Sequence, residues 1–151
     1  MKGWDMQDVC IRPARAEDAD GVFELLTQFA MSYRPQRAAF DRHYPRLLAS
    51  DGVDLLVAEV AGRPVGYALA FRLLTLFANG SVSELQELMV DPEYRGRGIG
   101  RGLVEAVVER ARYAGSVEVT VPTRRAGAYY LRLGFEETAA YFKLTIGGEP
   151  S

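Results

Sequence analysis

Between Leu88 and Val104 the chain reads LMVDPEYRGRGIGRGLV, with four glycines and three arginines between Tyr94 and Leu103. Before this run the apolar residues suit a strand. After it Ile99, Leu103, Ala106, Val107 and Ala111 recur at helical spacing. A strand must therefore hand over to a helix through the residues with the least backbone preference, and glycine there costs conformational entropy. The first N–H groups of a helix lack intrahelical partners, and the peptide dipoles leave partial positive charge at that end. Gly96, Gly98 and Gly100 remove the Cβ atoms that would hold a ligand off the backbone, and Arg95, Arg97 and Arg101 add guanidinium charge. The stretch reads as an anion cradle suited to a pyrophosphate.

Two common phosphate loops do not fit. A nucleoside-triphosphate loop ends in Gly-Lys-Ser/Thr, whereas this chain has Gly100-Arg101-Gly102. A dinucleotide fingerprint counted from Gly96 needs glycine where Arg101 stands. A net charge of −2 gives no basic face for nucleic acid, and no apolar run has the length to span a bilayer. His43 is the single histidine and Cys10 the single cysteine, so neither a Cys/His metal site nor an internal disulfide is expected. Cys10, in an apolar strand-like run, is expected to be buried and structural. The N-terminus lacks a signal-peptide core, so a reducing cytoplasm is the expected location.

At 151 residues the chain suits one domain, with residues 1–8 and 147–151 expected to fray. Val9–Ala14 reads as a strand. A helix from Glu17 carries Val22, Phe23, Leu25, Leu26, Phe29 and Ala30, and Tyr33-Arg34-Pro35 ends it. A second helix covers about 37–49. DLLVAEV and VGYALAFRLL form two strands around a turn at Gly62, and Asn79-Gly80 signals a hairpin into Ser81–Val90. Ser116–Val121 is a further strand. Thr123 caps a helix that Gly134 ends, and FEETAAYFKLTI supplies a last strand or pair of strands. The result is a mixed α/β layer fold.

Arg95-x-x-Gly98-x-Gly100 matches the R/Q-x-x-G-x-G/A signature of the GNAT superfamily of acyl-CoA-dependent N-acetyltransferases, and the whole run from Leu88 to Val104 resembles that family's core. Thr123 to Phe135 resembles its second landmark, N-x-x-A-x-x-x-Y-x-x-x-G-F, with Thr123 in place of the asparagine that contacts pantetheine. The resemblance covers nearly the whole chain. It implies a central, mostly antiparallel sheet with a splayed strand pair and about four flanking helices. It also implies that Arg95, Gly96, Arg97, Gly98, Ile99, Gly100 and Arg101 hold the acetyl-CoA pyrophosphate. The backbone of Leu88, Met89 and Val90 would then pair with pantetheine, with Thr123 and Tyr130 also facing the cofactor.

Moving an acetyl group from a thioester to an amine needs a neutral amine, a polarised carbonyl and a stabilised thiolate. An alkyl ammonium has a pKa of about 10.4, so a base must remove its proton. Glu84 and Glu87 lie in a central strand, where ionised carboxylates are costly unless they line a cleft. Their opposite parity puts them on opposite faces unless a bulge intervenes. By the family motif, Tyr130 is the acid for the leaving thiolate, and adjacent Tyr129 points elsewhere. The second helix, where this family builds its acceptor pocket, offers His43 and Tyr44, with Tyr33 and the apolar hairpin Leu73, Leu74, Leu76 and Phe77 nearby.

The expectation is direct attack in a ternary complex, without a covalent cysteine intermediate. The acceptor is a small cationic amine, since QELMVDPEYRG is similar to the corresponding run of polyamine acetyltransferases. A peptide or protein amine is the rival acceptor, and an idle acyl-CoA-binding sensor is the rival from another class. Homodimerisation is expected from family habit alone.

Overall fold

A computed structural model of the protein describes residues 3–28 and 33–147. Five strands, β1 (Val9–Pro13), β2 (Val53–Val60), β3 (Arg63–Thr75), β4 (Gly80–Val90) and β5 (Val119–Thr120), lie side by side in chain order. The first four are antiparallel neighbours and β5 joins β4 in parallel. That parallel step needs a long crossover, which α3 (Ile99–Tyr113) supplies. The other helices are α1 (Ala19–Leu26), α2 (Arg37–Ala49) and α4 (Gly127–Arg132).

Alternation along the strands divides the core in two. Leu56, Ala58, Ala68, Ala70 and Leu85 pack with Ile99, Leu103, Val104 and Val107 of α3, and with Tyr130 of α4. Leu55, Val57, Tyr67, Leu69 and Met89 pack on the other face with Val22 and Leu25 of α1 and Tyr44 of α2. Gly66 lets α3 approach closely: a Cβ there would lie 3.2 Å from Leu103 Cδ1 and 3.1 Å from the Met89 carbonyl. Both tight connections use positive φ, at Ala61 and Gly62 before β3 and at Asn79 before β4.

Several expectations are corrected. The segment from Trp4 to Asp8 does not fray: Trp4 is buried and Asp5 caps a 3-10 turn over Met6–Asp8. Met1, Lys2 and residues 148–151 lie outside the described residues, as do Phe29 and Ala30 of the expected first helix. Cys10 is exposed, because it occupies the outward position of an edge strand. The strand expected over Ser116–Val121 shrinks to two residues. FEETAAYFKLTI forms no regular strand, and Phe142, Leu144 and Ile146 stand in solvent.

Asp54 anchors the end of the sheet away from the glycine run. Its fully buried carboxylate accepts from Arg72 of β3 and, at 2.8 Å, from Arg110 of α3. Replacing Asp54 by Asn leaves two guanidiniums facing one another with no counter-charge. The expected loss is about 3 kcal/mol, the low end for a buried pair because Arg110 keeps half its side chain in water. Glu109→Gln breaks only an exposed pair with Arg112 and should cost about 0.5 kcal/mol or less. Urea midpoints of the two variants check both figures.

Candidate active site

β4 and β5 pair only through Ser83 with Val119 and Glu84 with Thr120. Among the described residues, the outer edge of β4 beyond Glu84 has no strand partner up to Val90, so the sheet opens there. On the inner edge the register moves at the same place. Leu69 faces Glu87 and Ala70 faces Leu85, which leaves Gln86 as an extra residue. The bulge cancels the parity difference: Glu84 opposes Phe71 and Glu87 opposes Leu69, both on the α1/α2 face. The two carboxylates thus lie on one side of the sheet beside its opening.

Glu87 is half-buried, and its Oε1 accepts a 2.9 Å hydrogen bond from the Tyr67 hydroxyl. Burial pushes its pKa up against the lowering effect of that bond. Glu84 accepts from the Gln86 side chain. The expected acceptor residues are spread out. His43 is exposed on α2, and Tyr33 is partly exposed with the Lys143 ammonium 6.0 Å from its ring centre. Tyr44 is buried in the core and donates to the Arg15 carbonyl at 2.8 Å, so its hydroxyl is committed to tying α2 to the segment that follows β1. Leu74, Leu76 and Phe77 project from the β3–β4 hairpin into solvent.

At the other side of the opening the chain leaves β4 through a 3-10 turn (Pro92–Tyr94) and enters α3 through exposed Arg95–Gly98. Gly96 and Gly98 have φ of +77° and +99°, which a Cβ would strain. Gly98 serves as N-cap without any side chain, so the N–H groups of Ile99, Gly100 and Arg101 open onto the cradle. The arginines are not equivalent. Arg97 stacks 4.6 Å over Trp4 and donates to its carbonyl at 3.0 Å, which ties the turn to the N-terminal segment. Arg95 Nε donates to the Val90 carbonyl at 2.9 Å, and exposed Arg101 pairs with Glu105 at 3.2 Å. A surface pair of that kind contributes little.

Thr123 Oγ1 accepts from Ala126 N at 3.1 Å, while α4 itself starts only at Gly127. Tyr130 is buried edge-on between Tyr129 and Phe135, and burial pushes its pKa up to about 12. Its neighbour was missed by the motif. The Tyr129 hydroxyl lies over the first turn of α3, so close that a Cβ on Gly100 would be 2.8 Å from it, with Val90 Cγ2 nearby. The readable signal is Gly100 itself, a glycine in the first turn of α3 whose missing side chain leaves room for a phenol.

The sequence pattern of the Acetyltransferase (GNAT) family matches residues 19–135. The chain is 34% identical over 143 residues to an uncharacterised N-acetyltransferase of Methanocaldococcus jannaschii, covering 84% of this chain and 60% of that protein. It is 30% identical over 146 residues to the aminoalkylphosphonate N-acetyltransferase of Salmonella typhimurium, covering 93% of each. Among solved structures, an aminoglycoside N-acetyltransferase in complex with CoA superposes with a TM-score of 0.78 at 21% identity, over 91% of this chain and 94% of that one.

The closeness of Tyr129 to α3 is testable without any ligand. Glycine to alanine inside a helix gains up to about 1 kcal/mol from propensity, while overpacking costs about 1–3 kcal/mol. Gly100→Ala should therefore be neutral to destabilising in the native background. In a Tyr129→Phe background the same change should stabilise. The expected coupling is about 1 kcal/mol in a double-mutant cycle of denaturant melts.

Proposed function

Because the chain belongs to the GNAT family and is an acetyl-CoA-dependent acetyltransferase, we propose that it acetylates a small cationic primary amine by direct attack in a ternary complex. The observation that carries this reading is the placement of Glu84 and Glu87 on one face beside the opening of the sheet. Two carboxylates there attract a cation, and Glu87 has the raised pKa that suits a base.

The residues at the opening fit acetyl-CoA. The left-handed glycines at 96 and 98 leave no Cβ in the cradle, and the helix N–H groups meet the pyrophosphate together with Arg95 and Arg101. Arg97 contributes through its backbone, since its side chain is held on Trp4. The unpaired edge of Leu88, Met89 and Val90 offers main-chain groups to the amide-bearing arm, as an added strand would use them. The bound co-substrate supplies the activated acetyl thioester. Tyr129 of α4, with Thr123 ahead of that helix, lines the approach.

Glu87 takes the proton of the incoming ammonium, directly or through a water. The freed amine forms the C–N bond as the C–S bond breaks, and the second nitrogen proton leaves to solvent. Tyr130 faces the departing sulfur. A phenol of pKa about 12 handing its proton to a thiolate of about 8.5 runs uphill by about 3.5 units, ~5 kcal/mol. Tyr130 therefore stabilises the thiolate by hydrogen bonding, and solvent completes its protonation. His43 and Tyr33 are left as exposed side chains that a longer acceptor could reach, while the Tyr44 hydroxyl is engaged by the Arg15 carbonyl.

Thiol release from acetyl-CoA, measured with diamines, polyamines, aminoglycosides, amino acids and short peptides against a blank, tests the reading. Polyamines or diamines should be the best acceptors. Glu87→Gln should lower kcat/KM by about a hundredfold, and Glu84→Gln should raise KM for diamines more than for monoamines. A clear preference for peptides would move the acceptor to a peptide or protein amine. Retained acetyl-CoA binding without turnover for any acceptor would indicate a sensor module.

A further inference from the structure

Tyr67 sits at the middle of β3 with its ring buried in the α1/α2 core. It opposes Met89 across the strand pair and is the diagonal neighbour of Glu87, which opposes Leu69. Without the bulge at Gln86 the carboxylate of residue 87 would lie on the α3 face, out of reach. With it, the Tyr67 hydroxyl donates to Glu87 Oε1 at 2.9 Å.

We propose that Tyr67 is the positioning residue for the base of this acetyltransferase: its hydroxyl fixes one oxygen of Glu87 and leaves the other to meet the acceptor ammonium. This rests on Glu87 being the base. A glutamate has three side-chain torsions, whereas a core tyrosine is held by its packing, so the rigid partner selects the orientation of the mobile one. The donor's identity is fixed as well. Burial and the neighbouring carboxylate hold the phenol protonated far beyond neutral pH, so Tyr67 donates at every working pH.

The other titratable groups around Glu87 do not take this place. Glu84 shares its face on β4. α1 carries Asp20 and Glu24, and α2 carries Arg37, Asp41, Arg42, His43, Tyr44 and Arg46. Arg37 is engaged by Asp20 and Asp41, and Tyr44 by the Arg15 carbonyl. Among the described residues, Tyr67 alone hydrogen-bonds the Glu87 carboxylate.

A hydrogen bond donated to a carboxylate favours its charged form, so removing it raises the carboxylate's pKa. Tyr67→Phe keeps the ring and removes only the donor. Its acid limb of kcat/KM should move up by about one pH unit, the size of one charge-assisted bond. The Glu87 carboxylate resonance, assigned by its disappearance in Glu87→Gln, should shift its titration midpoint in the same direction. Tyr67→Phe should add nothing in a Glu87→Gln background. Site-specific 3-fluorotyrosine at position 67, a stronger donor, should move both midpoints down and keeps the test open if the phenylalanine variant fails to fold. Acid limb and titration both unmoved, with Glu87→Gln inactive, would overturn the role of Tyr67 and leave the base reading standing. Full turnover by Glu87→Gln would overturn the base reading and the positioning role with it.

Discussion

Where Leu69 faces Glu87 and Ala70 faces Leu85, Gln86 has no cross-strand partner, and this one extra residue sets the geometry around the site. It turns Glu87 from the α3 face to the face shared with Glu84, Phe71 and Tyr67. It does so within two residues of the last β4–β5 pair, Glu84 with Thr120. A bulge bends and twists its own strand, so β4 turns away from β5 at the level where its outer edge becomes free. Opening the edge and gathering the carboxylates are two consequences of the same backbone feature.

The opening is held from both ends. At one end Asp54 joins β2 to Arg72 of β3 and Arg110 of α3, and the short β4–β5 pairing lies toward that side. At the other end Arg97 stacks on Trp4, Trp4 packs against Tyr94 with ring centres 5.1 Å apart, and Arg95 binds the Val90 carbonyl. Between these fixed ends lies a stretch of strand edge, and an unpaired edge inside a folded domain needs a reason. In the proposed function, an extended ligand that pairs with it is that reason.

The sequence made the order of elements and the glycine cradle legible, because strand periodicity, the Asn79-Gly80 turn and the run of glycines are all local signals. It could not place Glu84 and Glu87 on one face. Parity alone did not decide that arrangement, because the register shift that permits it depends on the pairing of two strands, not on either strand alone. The contact of Arg97 was illegible for a similar reason: its partner Trp4 is far away in sequence and lies in a segment expected to fray. Tyr129 was set aside by helical geometry around a motif residue, whereas its hydroxyl reaches across to another helix at Gly100. The final strands failed differently. FEETAAYFKLTI has strand composition, yet β composition expresses itself only where an edge and an apolar surface receive it.

In the proposed reaction, the burial of Glu87 and a cationic acceptor support one another. In water a carboxylate near 4.3 and an alkyl ammonium near 10.4 are separated by about six units, so the carboxylate is a poor base for that proton. Burial moves the two in opposite directions, raising the carboxylate and lowering the ammonium, because it penalises both charged forms. Proton transfer from ammonium to Glu87 would remove both charges from a poorly solvated place, so the burial that raises Glu87 also favours the step proposed for it. Tyr67 opposes this by stabilising the ionised form. The opposition is useful: a carboxylate left to burial alone would rest protonated more of the time and could neither attract the cation nor take its proton. Glu87 is thus set between two requirements, and a single hydroxyl on the neighbouring strand adjusts the balance.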